Sequence, residues 1–334
     1  MALFLSFLIR RIISVMQTIL YGNGVNRLTK GMPSWDQLIE EIADVKLDDR
    51  IPNPLKYEAL LLDKPYRGPY QRLETKDGES LMTAEGKRLY VEGERTEKEL
   101  KEKIATRLKS FGTNRVYGVI SKLPVSHLIT TNYDYPIFKN IGTGDLDSSY
   151  PIEKVYSIRR NYVIKTSDGG VKRYWPMHGS IDSPASIMLG FDHYCGSLAK
   201  IEQYVKGGYD MHGKRVESMT KRLNEGIKEI LSWIDLFFIS DVHIIGLNLG
   251  DEETDLWWVL NKRRRIKQAA SVPIENRIFY YPVEKVKKGI GQLLKSFDVE
   301  VVTLERSKLK RPFNERYMKQ LAIMGHNMHN NRDV

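Results

Sequence analysis

The chain has 334 residues, of which 41% are hydrophobic and 10% aromatic, and carries a formal net charge of +10. That length and apolar content exclude a disordered chain and a peptide-scale scaffold, and suit one large core with an inserted piece, or two domains. A single cysteine, Cys195, excludes an internal disulfide framework and any cysteine-rich zinc site, and points to a reducing, cytoplasmic setting.

Residues 1–17 open with the apolar run Met1-Ala2-Leu3-Phe4-Leu5-Ser6-Phe7-Leu8-Ile9. Arg10 and Arg11 follow that run where an export signal would place its charges first, and no small-residue cleavage site comes before the next apolar stretch. The run is too short to span a bilayer, so an apolar N-terminal helix without a membrane span is expected. A buried strand, Thr18-Ile19-Leu20-Tyr21, follows and delivers the loop Gly22-Asn23-Gly24-Val25-Asn26-Arg27. Two glycines after a strand let backbone N–H groups approach a phosphate, with simple turn chemistry as the alternative.

Ser34 and Gln37 form a capping box ahead of a helix whose Leu38, Ile39, Ile42 and Val45 share one face. Trp35 beside it reads as a packing residue. Residues 46–115 are charged and punctuated by proline and glycine, then helical from about 96 to 111, which predicts a helical insertion beside the sheet. Within it, the alternating charges of 101–109 read as a solvated face. Direct contact of the basic surface with nucleic acid, or with an acidic protein, is the alternative use of the net charge.

A strand over 127–131 then runs into Asn132-Tyr133-Asp134, with Pro136 where a helix can begin. At the carboxyl end of a strand in an α/β sheet such residues face the ligand crevice; the competing reading makes Asp134 a helix cap and Asn132 a turn residue. After a linker over 142–149, strands are expected over 154–158 and 162–165. A third strand runs from Val171 into His178-Gly179, where the glycine frees the backbone and leaves the imidazole at a strand terminus. Helices are expected over 192–205 and 216–234. Val242-His243-Ile244-Ile245 then feeds the loop Gly246-Leu247-Asn248-Leu249-Gly250-Asp251 and a helix ending in Arg263-Arg264-Arg265, a charge cluster suited to the helix's negative pole. A strand from Arg277, a helix over 283–297 and a strand over 299–304 complete a βαβ unit, and 326–334 reads as a flexible tail. His326 and His329 are three residues apart in that tail, and no metal is expected there or elsewhere. The predicted fold is α/β: a Rossmann-like, mostly parallel sheet flanked by helices, with the helical insertion as a subdomain.

Four of these segments, Gly22-Asn23-Gly24-Val25-Asn26, Thr130-Thr131-Asn132-Tyr133-Asp134, Met177-His178-Gly179-Ser180-Ile181-Asp182 and Ile245-Gly246-Leu247-Asn248-Leu249-Gly250-Asp251, come in the order found in SIR2-like (sirtuin-related) domains. The chain resembles that family over 1–325 as a single domain. The likeness is nearest to the bacterial SIR2-like NAD-degrading proteins of anti-phage defence, whose middle motif is similar to Thr130–Asp134; the protein deacylases favour a glutamine before the asparagine. The resemblance implies NAD+ as substrate, with Gly22, Asn23, Gly24, Asn26 and Thr131 lining the dinucleotide. It makes Asn132 and His178 a catalytic pair with Asp134 beside the nicotinamide, and sets Gly246, Asn248 and Asp251 near the adenosine half. Deacylases also carry a four-cysteine zinc module, which this chain, with only Cys195, lacks. The implied activity is NAD+ glycohydrolysis by a regulated effector, expected to be a homo-oligomer with a partner such as a DNA-translocating ATPase or an Argonaute-like protein. The alternative is a non-catalytic NAD- or ADP-ribose-binding scaffold for such a partner.

Overall fold

Strands in the described residues follow in chain order as β1 (Gln17–Tyr21), β2 (His127–Thr130), β3 (Gly144–Leu146), β4 (Tyr162–Lys165), β5 (Val171–Pro176), β6 (Asp210–Met211), β7 (Lys214–Arg215), β8 (Asp241–Ile245), β9 (Ile278–Tyr281) and β10 (Val299–Val301). The structure, a computed structural model, describes residues 16–43, 48, 50–62, 85–142, 144–146, 155–166, 169–227, 229–269 and 272–330. The N-terminal helix expected over 1–17 lies outside them up to residue 15, and Gln17 already belongs to β1.

Eight strands form one sheet in the order β10-β9-β8-β1-β2-β5-β4-β3, while β6 and β7 pair as a separate hairpin. From β10 to β5 every neighbour runs parallel; β4 and β3 add on antiparallel. This is the α/β, Rossmann-like architecture expected from the alternation of strands and helices. Every residue of β1 and β8 is buried, as strands covered on both faces must be. Alternation then sorts the side chains. Leu20, Ile129 and Ile244 pack with the Phe191–Lys206, Trp233–Ile239 and Thr254–Gln268 helices on one face. Ile19, Tyr21, Leu128 and Ile245 pack with the Arg115–Ile120 and Phe313–Asn330 helices on the other. Each such fully buried aliphatic side chain contributes roughly 1.5–3 kcal/mol.

Tyr21 aligns with Thr130 and with Ile245, and Thr130 aligns with Pro176. Four strands therefore end level, and their loops leave from one edge. β1 lies between β2 and β8, so the chain's connections diverge there in opposite directions, the place where open α/β sheets hold ligands. Above that edge sits a third apolar cluster. It joins Leu38, Tyr57, Ile104 and Leu108 of the helical insertion and its neighbour to Tyr133 and Leu189 of the sheet's loops.

Several expected elements differ. Residues 155–158 form no strand: the Val155 and Tyr156 carbonyls accept from Arg160 and Lys200 side chains, and the strand that pairs with β4 on the side away from β5 is β3, inside the stretch read as a linker. The helix expected over 216–234 divides into Met219–Asn224, capped by Ser218, and Trp233–Ile239, capped by Ser232, with Gly226 at φ 69° between them. The insertion's long helix begins earlier than expected, at Glu85, and runs to Lys109. Lys101 on its expected solvated face is buried and paired with Glu97 at 2.7 Å. Arg263 of the basic cluster is also buried; it pairs with Asp298 at 3.4 Å, and Lys267 meets the same carboxylate at 2.6 Å. Beyond Gly325, the tail expected over 326–334 is helical as far as Asn330, with Met324 and Met328 buried. Among the described residues no helix is long and apolar enough to cross a membrane.

Candidate functional site

The loops after β1 and β8 interlock. Gly22 N–H donates to the Ile245 carbonyl at 3.2 Å and Gly24 N–H to the Gly246 carbonyl at 2.9 Å. A Cβ on Gly22 would stand 2.2 Å from Leu247 Cδ2, and one on Gly24 would stand 2.8 Å from the Gly246 carbonyl oxygen. The glycines are thus demanded by the approach of two backbones, a reason the sequence reading did not include. Residues Asn23–Asn26 turn helically, which leaves Asn23 at a cavity wall and carries Asn26 into the interior.

There Asn26 meets the β2 loop. Asn26 Nδ2 donates to Asp134 Oδ1 at 2.7 Å, the Tyr117 hydroxyl donates to Asn26 Oδ1, and Asn132 Nδ2 lies 3.5 Å from the Tyr117 hydroxyl oxygen. The Thr130 hydroxyl oxygen accepts from the Asn132 backbone N–H at 3.0 Å, and Tyr174 donates to the Asp134 carbonyl at 2.9 Å. Burial pushes the Asp134 carboxyl up to about 6, against the lowering effect of the Asn26 bond. Asn132 Oδ1 is buried and has no hydrogen-bond partner. An acceptor left bare in this way costs roughly 1–3 kcal/mol, which a ligand donor would recover. Asn132 and Asp134 both line a narrow cavity with Asn23, Asn26, Ser34 and Trp35.

At the end of β5 the Met177 N–H donates to the Thr130 carbonyl at 3.0 Å, and Gly179 turns at φ 96°. A Cβ there would lie 2.0 Å from the Ser186 carbonyl oxygen, so the turn that sets His178 in place admits only glycine. His178 Nε2 lies 2.8 Å from Asp255 Oδ2, and the Tyr194 ring meets the imidazole edge-on at 5.3 Å between centroids. Burial pulls the His178 pKa down, but the charge and hydrogen bond of Asp255, with the charge of Glu253, raise it above its ordinary value. Burial likewise pushes the Glu253 carboxyl up to about 7, His178 opposing and Asp255 adding. Donor atoms of His178, Glu253 and Asp255 lie within 4.8 Å of one another, near enough for a divalent ion, yet His178 and Asp255 bond each other directly.

His178, Thr131, Glu252 and Glu253 line a second, larger cavity, open to solvent. Trp35 and Tyr133 belong to both cavities and pack with ring centroids 4.7 Å apart. Trp35 is therefore a packing residue, as expected, and a shared wall as well.

The strand ends thus gather Asn23, Asn26, Asn132 and Asp134 at one cavity, and Thr131 and His178 at the next. Five expected residues stand apart, Gly22 and Gly24 among them, since Gly22 is taken up by contact with Leu247 and Gly246, and Gly24 by contact with Gly246, and they line neither cavity. Gly246 is taken up by contact with Gly24 and Val25, while Asn248 and Asp251 are exposed and line neither cavity. The acidic residues of this run that do reach the site are Glu252 and Glu253, which line the second cavity, and Asp255, which meets His178. Helical phase selects Asp255, which is in the buried first turn of Thr254–Gln268. Only that phase, and the spacing to Leu256 and Val259, could have singled out Asp255 in the run Asp251-Glu252-Glu253-Thr254-Asp255. Cys195 is exposed. Compared with known proteins, the chain matches no family model and no curated protein.

Proposed function

We propose that this chain is an NAD+ glycohydrolase, cleaving the bond between nicotinamide and ribose to give nicotinamide and ADP-ribose. The observation that carries the reading is the bare Oδ1 of Asn132, a buried acceptor in the crevice where the sheet's connections diverge. The order of the four motifs, which resembles that of SIR2-like proteins, supports it.

The chemistry fits the residue types. Nicotinamide leaves as a neutral pyridine with the bonding pair of the glycosidic bond, so its departure needs no general acid. What needs help is the oxocarbenium-like ribose and the water that attacks it. An asparagine both donates and accepts without titrating, and can hold a ribose hydroxyl. His178 can take the water's proton. Asp134 can accept a hydrogen bond from the carboxamide, and Thr131 with the 22–26 loop can bind the rest of the dinucleotide.

In this reading the protein is a regulated effector that depletes NAD+ in defence against phage, acting as a homo-oligomer or with a partner ATPase or Argonaute-like protein. The purified chain, alone and with a partner encoded beside it, is expected to release nicotinamide from NAD+. If the chain neither binds NAD+ in calorimetry nor releases nicotinamide in either form, the reading is wrong.

A further inference from the structure

We infer that Asp255 is a positioning residue for His178: it holds the imidazole by Nε2 and presents Nδ1 to the larger cavity, with Glu253 as a second carboxylate beside the ring. Its consequence for turnover rests on the hydrolase reading; the geometry does not.

Both partners are buried, with 4% and 1% of their side chains exposed, and they meet at 2.8 Å. Each is fixed from behind. Asp255 Oδ1 accepts from the Leu256 backbone N–H at 2.8 Å, which sets the carboxylate rotamer, and the carboxylate sits at the positive end of a 15-residue helix. The His178 carbonyl accepts from the Met188 N–H at 2.9 Å, Gly179 fixes the turn, and Tyr194 of the Phe191–Lys206 helix closes one edge of the ring. A ring anchored at its backbone, its edge and one nitrogen has one orientation. With Nε2 committed to Asp255, Nδ1 is the nitrogen a ligand can meet.

That arrangement makes a base. In the neutral ring the Nε2 proton points at Asp255 and Nδ1 accepts. The attacking water gives its proton to Nδ1 as its oxygen bonds to the ribose C1′, while nicotinamide departs with the pair from the broken bond. The imidazolium so formed lies against Asp255, then returns its proton to solvent. A carboxylate behind a histidine acts by fixing tautomer and orientation, and removing it from the serine-protease triad costs about 10⁴ in kcat. The charged and titratable groups facing His178 are Asp255 and Glu253 from the start of the Thr254–Gln268 helix and the Tyr194 phenol from the Phe191–Lys206 helix.

The test is the ¹⁵N imidazole spectrum of His178, assigned with His178→Gln, in the full chain and in Asp255→Asn. Expected in the wild type is a neutral ring protonated at Nε2 that titrates above the ordinary histidine value. In Asp255→Asn the tautomers should mix and the titration move to lower pH, with the backbone spectrum unchanged. In the NAD+ assay that variant should lose at least about 10-fold in kcat with little change in KM, and the acid limb of its pH profile should move down. A wild-type ring protonated at Nδ1, or titrating at or below the ordinary value, overturns the proposal even if the variant does not fold. So does a folded Asp255→Asn with wild-type tautomer and kcat, or one Mn²⁺ or Zn²⁺ bound per chain and lost in both variants. The paired spectrum without any turnover would instead sink the hydrolase reading and leave the pairing intact.

Discussion

Asn26 Nδ2 donates to Asp134 Oδ1 at 2.7 Å and so ties the loop after β1 to the loop after β2, across 108 residues of chain. The bond is neutral-to-carboxylate in a buried site, and among the described residues no cation pairs with the carboxylate. Burial therefore wins over the hydrogen bond, and the Asp134 carboxyl rises to about 6.

Asp134→Asn should consequently stabilise the protein at alkaline pH. A carboxyl with a folded pKa near 6 and an unfolded value near 3.9 binds its proton more tightly when folded, so its cost to stability appears as pH rises from about 4 and is complete above about 6. That cost is on the order of 2–3 kcal/mol. Thermal melts should show the variant above the wild type at pH 8 and level with it near pH 4. A variant that melts lower at pH 8 would show that the charge is compensated in the folded state.

Gly179→Ala should unfold the His178 turn. At φ 96°, with the Ser186 carbonyl oxygen 2.0 Å from the added Cβ, both backbone strain and a clash with main chain oppose it. A loss of at least about 3 kcal/mol by urea denaturation is expected, with NAD+ turnover lost alongside. Gly196→Ala is the control: it sits mid-helix with nothing within 4 Å and should gain about 0.5–1 kcal/mol. Equal effects at the two sites would contradict the account of the turn.

Glu97→Gln should loosen the helical insertion from the sheet's loops. Glu97 Oε1 meets Lys101 Nζ at 2.7 Å and His193 Nε2 at 2.8 Å, and Lys101 is buried, so removing the carboxylate takes the counter-charge from a buried ammonium that keeps the Tyr156 hydroxyl and the Ala185 carbonyl as neutral acceptors. Because Glu97 is 30% exposed, a loss of roughly 1–3 kcal/mol is expected. The His193 hydrogen bond, with Lys101, holds the carboxyl down to about 2 against the effect of burial. A lowered carboxyl stabilises above its unfolded pKa near 4.3, and the effect is lost as pH falls toward about 2. The gap between urea titrations of the two proteins should thus narrow below about pH 4 and close only as pH falls to about 2; a gap independent of pH would rule out the charge as its cause.

The parts legible in the sequence were local or strongly patterned. The Ser34 and Gln37 capping box is reciprocal, at 2.8 and 3.2 Å, because both halves lie within one turn. Strands β1, β2 and β8 were visible as apolar runs ahead of polar loops. What failed depended on distant pairing or on helical phase. β3 is three residues of Gly-Asp-Leu that become a strand only against β4. Asp255 required knowing which acidic residue a helix would turn inward. The tail was misread because its Asn and His residues hid a repeat that was present: Tyr317, Leu321, Met324 and Met328 recur at helical spacing and are all buried. Interlocking of Gly22 and Gly24 with Gly246 could not be seen at all, since no spacing within one loop reports its contact with another.

The most direct test of the central claim is nicotinamide release from NAD+ by the wild type and by Asn132→Ala, each shown to be folded by its melting curve and assayed with and without a partner encoded beside the gene. Release by the wild type is expected under at least one of these conditions, and none above background from Asn132→Ala at an unchanged melting temperature. Wild-type rates of release from a folded Asn132→Ala protein would contradict it.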